Sequence, residues 1–467
     1  MTGVAGMQTF ASVALGMLSL TAVAQVSVPP EKLCGPPNYC ARTDVRVEPY
    51  PNAPPAIGPS GSILSDPTFG SRMVRVTDSK TDPRRPSEAY STPSAAEQNP
   101  WSTDDTKFYV RGIDGVLELF DFNPTTMAVH PIGGPSVSWI GEPQFSYSQP
   151  NILYGITGHR PVFQQYDVST HRTADLHDAS QCVTLKSSDA GRAVSVSAND
   201  QRLAIVIGPE QDTDYLVYVY DRAQGCRWYN TRTGEIGGQW GAKGTISIPD
   251  RYLIHDARIN QSGRFIEINR SGAPVAGVAP PQNPTPSLIW NVDTTDVAPC
   301  GPKGCKGHHA LGYSHLLNPS EQEHPMDLWI RPLNQLDAAS PLIKQLPAIQ
   351  GWYDLHISWN HVDPSDSTPA CLSTYRRDNP NTPGAPPKVL GPWENEILCV
   401  ETDRKDSKVW RFAHTYSTAQ NGFWSSPRGN VSQDGRFYMF TSDWEDQLGQ
   451  IPRTSQYRTD VFIVELK

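Results

Sequence analysis

A short pattern of apolar and polar positions recurs along the chain. An apolar residue is followed by Ser or Asn, then by a run of Asp, Asn, Ser or Gly, then by a β-rich apolar run. It stands at 101–110, 145–154, 196–204, 259–266 and 431–438. The Asp, Asn and Gly positions tolerate the positive φ of a tight hairpin, so each copy predicts two antiparallel strands joined by a turn. Trp359, Asn360 and His361 open a sixth copy with a longer, Pro-containing turn, and Tyr313 with Ser314 opens a less regular seventh. Behind each copy comes an alternating apolar strand, at 116–122, 161–167, 215–221, 287–293, 327–331, 396–402 and 460–466. A weaker fourth strand follows most of them, as at 408–412.

Four antiparallel strands repeated every ~45–70 residues read as the blades of a β-propeller. The last alternating segment leaves its blade one strand short. The run Ser71–Asp78 is an unpartnered strand ahead of the first blade, and it is expected to complete the seventh and close the ring. Closure removes the edge that would otherwise template aggregation. The expected fold is therefore all-β: a seven-bladed β-propeller over 71–467, closed by an N-terminal strand. A pair of β-sandwiches would explain neither the repeats nor the unpartnered strand. The Pro-rich segment 25–70 is expected to wrap the outside, and 273–286 and 378–392 read as loops. A propeller grows by adding blades rather than by enlarging one core, so no second domain is needed.

Residues 10–24 are almost all apolar. A run of about 15 is short for a bilayer span but suits the core of a signal peptide. Ala22, Val23 and Ala24 supply the small-x-small cleavage pattern, so 1–24 reads as a signal peptide, although no Lys or Arg precedes the apolar run. No membrane span is expected after cleavage, and the mature chain is expected to be secreted or periplasmic. The 8 Cys fall in close pairs, Cys34/Cys40, Cys182/Cys226, Cys300/Cys305 and Cys371/Cys399. None has C-x-x-C spacing, and structural disulfides of an oxidising compartment fit them, with free buried thiols as the alternative. The 43 Pro and 36 Gly argue against a helix bundle. A net charge of −9 without a Lys/Arg cluster makes nucleic acid a poor partner. A monomer is expected.

Chemistry in a propeller is expected where the innermost strands line the central funnel. Strand alternation puts the residues one and three before each packing residue on the face opposite it. This selects Pro100 and Gln98, Gln144 and Glu142, Ser195 and Ala193, Arg258 and Asp256, Ser358 and His356, and Asn430 and Arg428. The fifth blade offers His308, His309 or His315. Such polar groups are either solvated lining or a site. As a site, Arg258 and Arg428 would hold a substrate carboxylate, His255 and Asp256 would join them in catalysis, and Glu142, Gln144 and Asn430 would contact substrate. Neutral imidazoles from different blades would suit one divalent metal ion, with Gln or a carboxylate completing the shell.

The entry strand at 69–78, the repeated apolar-Ser-x-Asp-Gly-Arg-Phe element and the funnel histidines resemble the secreted TolB-like and oligogalacturonate-lyase-like seven-bladed propellers, over about 69–467. The resemblance implies that His308, His356 and Gln98 hold a metal that neutralises a uronate carboxylate. It also implies that His255 and Arg258 serve as base and charge stabiliser of a carbon–oxygen lyase acting on acidic oligosaccharides. The sixth blade departs from the pattern, since His356 and Trp359 are not followed by an Asp-Gly turn. The sialidase box Ser-x-Asp-x-Gly-x-Thr-Trp and the hydrolase elbow Gly-x-Ser-x-Gly are absent. Propellers host many functions, so a non-catalytic ligand-binding or protein-interaction scaffold stands beside the lyase reading.

Overall fold

The alternating segments are strands. In the computed structural model they form seven sheets. The structure describes residues 34–49, 51–84, 89–158, 160–246, 251–272, 275, 287–301, 305, 308–319, 327–343, 353–376, 391–403, 407–420 and 422–467. The expected signal peptide and most of the two Pro-rich insertions lie outside them.

Blade one is Tyr90–Ser91, Lys107–Gly112, Leu117–Asn123 and Ala128–Pro131. Blade two is Gln144–Phe145, Ile152–Ile156, Val162–Asp167 and Arg172–Asp178. Blade three is Ala190–Val196, Arg202–Gly208, Leu216–Asp221 and Gly225–Asn230, extended outward by Glu235–Gly238 and Gly244–Thr245. Blade four is Ile254–Ile259, Phe265–Arg270, Ser287–Asn291 and Val297–Pro299. Blade five is Ala310–Leu311, His315–Pro319, Leu328–Pro332 and Ser340–Ile343. Blade six is Tyr353–Ser358, Ala370–Arg376, Glu396–Val400 and Val409–His414. All pairings are antiparallel. Helix among the described residues amounts to two single 3-10 turns, Ala179–Gln181 and Phe423–Ser425.

Blade seven closes the ring as the sequence predicts. Gly429–Val431, Phe437–Ser442 and Asp460–Glu465 are completed by Arg72–Arg75, in the register Met73 to Val464, Val74 to Ile463 and Arg75 to Phe462. Two ion pairs fasten this seam, Arg75 to Asp460 at 2.5 Å and Arg72 to Glu465 at 2.7 Å. Ile63–Ser65 adds a fifth strand outside, and Arg42 bridges to Arg411 on the outer strand of blade six. The segment read as wrapping is thus in part sheet.

There is no single core. Among the described residues, buried apolar side chains form seven clusters, one at each blade interface. Between blades seven and one, Val461 and Ile463 meet Trp101, Phe108 and Phe122. The interface of blades four and five is thin, and the Cys300–Cys305 disulfide lies there. Cys371 and Cys399 are direct cross-strand partners in blade six, and Cys182 bonds Cys226 at blade three.

The inner hairpin turns carry a second interlock. Asp105, Asp200 and Asp366 hold φ of 54°, 56° and 53°, where Gly263 and Gly435 stand in blades four and seven at 74° and 73°. An Asp tolerates this left-handed conformation less well than Gly but brings a carboxylate. Each carboxylate reaches into the blade before it: Asp200 accepts from Tyr147 N at 3.1 Å, and Asp366 from Ser314 N at 2.8 Å.

Candidate functional site

The sequence places Gln98 and Pro100 on the innermost strand of blade one. The structure corrects this: that strand is Tyr90–Ser91, and the chain rejoins the ladder only at Trp101, bridged to Phe108. Pro93 and Pro100 carry no N–H for a ladder, and residues 92–100 instead run into the channel as a plug. Both carboxylate oxygens of Glu142 accept Ser94 N, at 2.8 and 2.9 Å, and Ser94 Oγ donates to one of them at 2.7 Å. Gln98 Nε2 donates to the Pro143 carbonyl at 2.5 Å. Asn430 Nδ2 donates to the carbonyls of Ala96 and Gln98 at 2.9 and 2.8 Å, and Asn360 to that of Gln98 at 3.1 Å. Glu142, Gln98 and Asn430 thus come together around the plug. Gln144 lines an enclosed space of about 20 Å³ beside it, with Glu97, Ser195 and Arg258, room for a single water.

Above the plug opens a cavity of about 540 Å³. It lies on the face where innermost strands begin and second strands end. Its wall brings together Glu142, His255, Asp256 and Arg258 with Arg111, Arg192, Asp214, Phe423 and Trp424. Arg258 is fixed by Asp256, Nε to Oδ2 at 2.8 Å, and by Gln98 Oε1. Burial works against its charge, but Asp256, Glu97 and Glu142 outweigh burial and hold its pKa above the usual value. His255 sits at the rim, half exposed, with Nδ1 2.5 Å from Asp212 Oδ1.

Asp214 is buried beside Arg192, whose Nη1 lies 2.6 Å from its Oδ1, while Oδ2 has no hydrogen-bond partner. Burial pushes its pKa up to about 7; Arg192 opposes the rise, and Asp256 and Asp212 add to it. Gly208 makes the fit possible, because a Cβ there would collide with the Asp214 backbone.

His308 and His356 meet each other, with ring centroids 3.7 Å apart. His308 Nδ1 is 3.1 Å from Asp354 Oδ1, and Tyr375 OH donates to Asp354 Oδ2 at 3.0 Å. His356 Nε2 is 3.1 Å from the same hydroxyl, so it carries the proton. Burial would raise the Asp354 pKa, but His308 and these hydrogen bonds hold it below the usual value. Gln98 Oε1 is occupied by Arg258. Among the described residues no group of three His, Cys, Asp or Glu side chains is placed to hold a metal ion. His309 is engaged elsewhere, 2.8 Å from Glu267 and 3.5 Å from Glu97.

Arg428 lies behind the aromatic part of the wall. It is fully buried, with its guanidinium carbon 3.9 Å from the Phe423 ring centroid and 4.7 Å from that of Trp424.

Sequence reasoning missed Arg111, Arg192, Asp214, Asp354, Phe423 and Trp424. Counting back from Val196 selects Ala193, but a bulge between Arg192 and Ser195, with Ala193 at φ 57°, adds a residue and brings Arg192 to the cavity as well. Phe423 and Trp424 come from a strand connection, where alternation carries no information.

No protein-family model matches the sequence, and no curated protein matches it. Solved structures do. An oligogalacturonate lyase in complex with manganese aligns over 89% of this chain and 98% of its own, at 12% identity and a TM-score of 0.55. An oligogalacturonate lyase from Vibrio parahaemolyticus aligns over 86% and 96%, at 11% identity and a TM-score of 0.53. TolB from Acinetobacter baumannii aligns over 70% and 63%, at 11% identity and a TM-score of 0.34, too loose to argue from. At these identities the lyase likeness shows the fold alone.

Proposed function

We propose that the mouth cavity binds an acidic oligosaccharide of the uronate class and cleaves it by β-elimination. One observation carries this reading: Arg111, Arg192 and Arg258 surround a single cavity that also holds Asp214, a buried acid poised near neutral pH. Guanidinium forks suit a sugar carboxylate bidentately. Charge placed on that carboxylate stabilises the carbanion character that develops at the adjacent carbon. Asp214, which lines this cavity, takes the proton from that carbon. The electron pair forms the carbon–carbon double bond as the neighbouring carbon–oxygen bond breaks, and His255 at the rim protonates the departing oxygen.

The neighbour solved with manganese suggests a divalent ion; no three described His, Cys, Asp or Glu side chains are grouped to hold one, and no step is assigned to it. Three disulfides among the described residues suit an oxidising compartment, secreted or periplasmic. No helix among the described residues is long and apolar enough to cross a membrane.

The test is incubation with tetragalacturonate, followed by the ultraviolet absorbance of an unsaturated product. Binding by calorimetry without that absorbance would favour the non-catalytic module. That alternative draws on Arg192 and Arg258 each already carrying a carboxylate partner.

A further inference from the structure

Around the mouth, three arginines reach carboxylates: Arg111 to Glu142 at 3.6 Å, Arg192 to Asp214 at 2.6 Å and Arg258 to Asp256 at 2.8 Å. Arg428 does not. None of its three guanidinium nitrogens has a hydrogen-bond partner, and the side chain is fully buried. Burial lowers its pKa to about 10, so it stays charged at neutral pH. A buried cation with unmet donors is costly, and contact with aromatic faces offsets only part of that cost.

Those faces belong to a short strap, the 3-10 turn Phe423–Ser425. Phe423 lies over Arg428 yet is 54% exposed on its other side. Trp424 is shared between two cations, with Arg428 at 4.7 Å and Arg111 at 4.2 Å from its ring centroid. Gly422, at φ 81°, precedes the strap, and Ser417 Oγ ties its far end by donating to the Ser425 carbonyl at 2.5 Å. The rings line the saccharide-sized cavity on one side and cover an unsatisfied guanidinium on the other.

We infer that Arg428 is the receptor for a second carboxylate of the acidic oligosaccharide, in a subsite that Phe423 and Trp424 close in the empty protein and open to admit the sugar. This rests on the acidic-saccharide reading above and adds the gate and the spacing requirement of at least two charged sugar units. An oxyanion at Arg428 would supply the hydrogen bonds that the fold does not. The aromatic faces, once displaced, would lie against the sugar ring. Phosphate or sulfate shares the oxyanion chemistry, and the experiment separates them.

Calorimetry with trigalacturonate, maltotriose and sodium sulfate tests this. The wild type is expected to bind trigalacturonate and neither control. Arg428→Met is expected to bind it roughly 10- to 100-fold more weakly, the range for a hydrogen bond to a charged group. Its melting temperature should not fall, because no hydrogen bond is lost. If Arg428→Met binds within twofold of wild type, the subsite is wrong while the acidic-saccharide reading stands. If the wild type binds no trigalacturonate, both fail. Sulfate binding of equal strength, lost in Arg428→Met, would overturn the carboxylate assignment in favour of an inorganic oxyanion. Should Arg428→Met not fold, Phe423→Ala at an exposed position serves instead. Removing the cap should speed association severalfold by stopped flow, and unchanged rates would overturn the gate.

Discussion

Asp105 of blade one accepts the backbone N–H of Asp434 in blade seven at 2.9 Å, and its other oxygen accepts that of Gln433 at 2.7 Å. The interlock joins the two blades that close the ring, and it is unusual in bringing two carboxyls together. Burial and the Asp434 charge push the Asp105 pKa up from 3.8 to about 8, although the two backbone donors pull the other way. The folded protein therefore holds a proton on this pair that the unfolded chain has already released. The folded state binds more protons between pH 3.8 and about 8, so this site's contribution to stability is present in acid and lost as pH rises through that window.

Asp105→Asn keeps an acceptor oxygen and removes the titration. At pH 8 and above its melting temperature should exceed that of wild type by roughly 2–5 °C, and the two should converge near pH 4. Calorimetry across pH checks this, and a difference independent of pH would refute the assigned titration.

The ring seam should be sensitive to one buried carboxylate. Asp460 is fully buried and accepts from Arg75 at 2.5 Å, Arg458 at 2.7 Å and Thr77 at 3.2 Å. Asp460→Ala leaves two guanidinium groups without their carboxylate and is expected to cost about 3–5 kcal/mol in urea denaturation. A loss below about 1 kcal/mol would mean that apolar packing at the seam, rather than this network, holds the ring.

The strands were readable because each blade packs apolar residues on both faces at period two, and the closing strand because one blade lacked a partner. The mouth was readable only where that periodicity runs unbroken. Asp256 and Arg258 were found by alternation, and Glu142 likewise. Arg192 was hidden by a bulge, Gln98 by prolines that take the chain out of the sheet, and Asp214 and Trp424 by belonging to connections. Asp214 is marked by its burial and its unpartnered oxygen, both properties of three-dimensional packing that no local pattern encodes.

The plug should depend on Glu142. Its carboxylate accepts three hydrogen bonds from Ser94, and no other described side chain replaces them. Glu142→Ala should raise amide hydrogen exchange over 92–97 by at least tenfold while leaving the blade strands protected. Global destabilisation should stay near 1–3 kcal/mol. Equal exchange in both proteins would show that Asn430 and Asn360 alone hold the loop.

If Asp214 is the proton acceptor, cleavage must follow its ionisation. As a base Asp214 is active only when deprotonated, so the rising limb of the turnover profile should follow its pKa of about 7. Arg192 is the cation that opposes the rise. Arg192→Met removes that opposition, so the rising limb should move to higher pH. Asp214→Asn should lower turnover about 10²- to 10⁴-fold at every pH, the usual worth of a positioned base. Burial of an unpaired Asp214 charge also predicts the stability of the Arg192 variant: it should fall further between pH 4 and 8 than that of wild type, because the folded state then binds a proton over a wider range. A rate profile that does not move in Arg192→Met, alongside a stability profile that does, would leave Asp214 as a structural acid and return the base to His255.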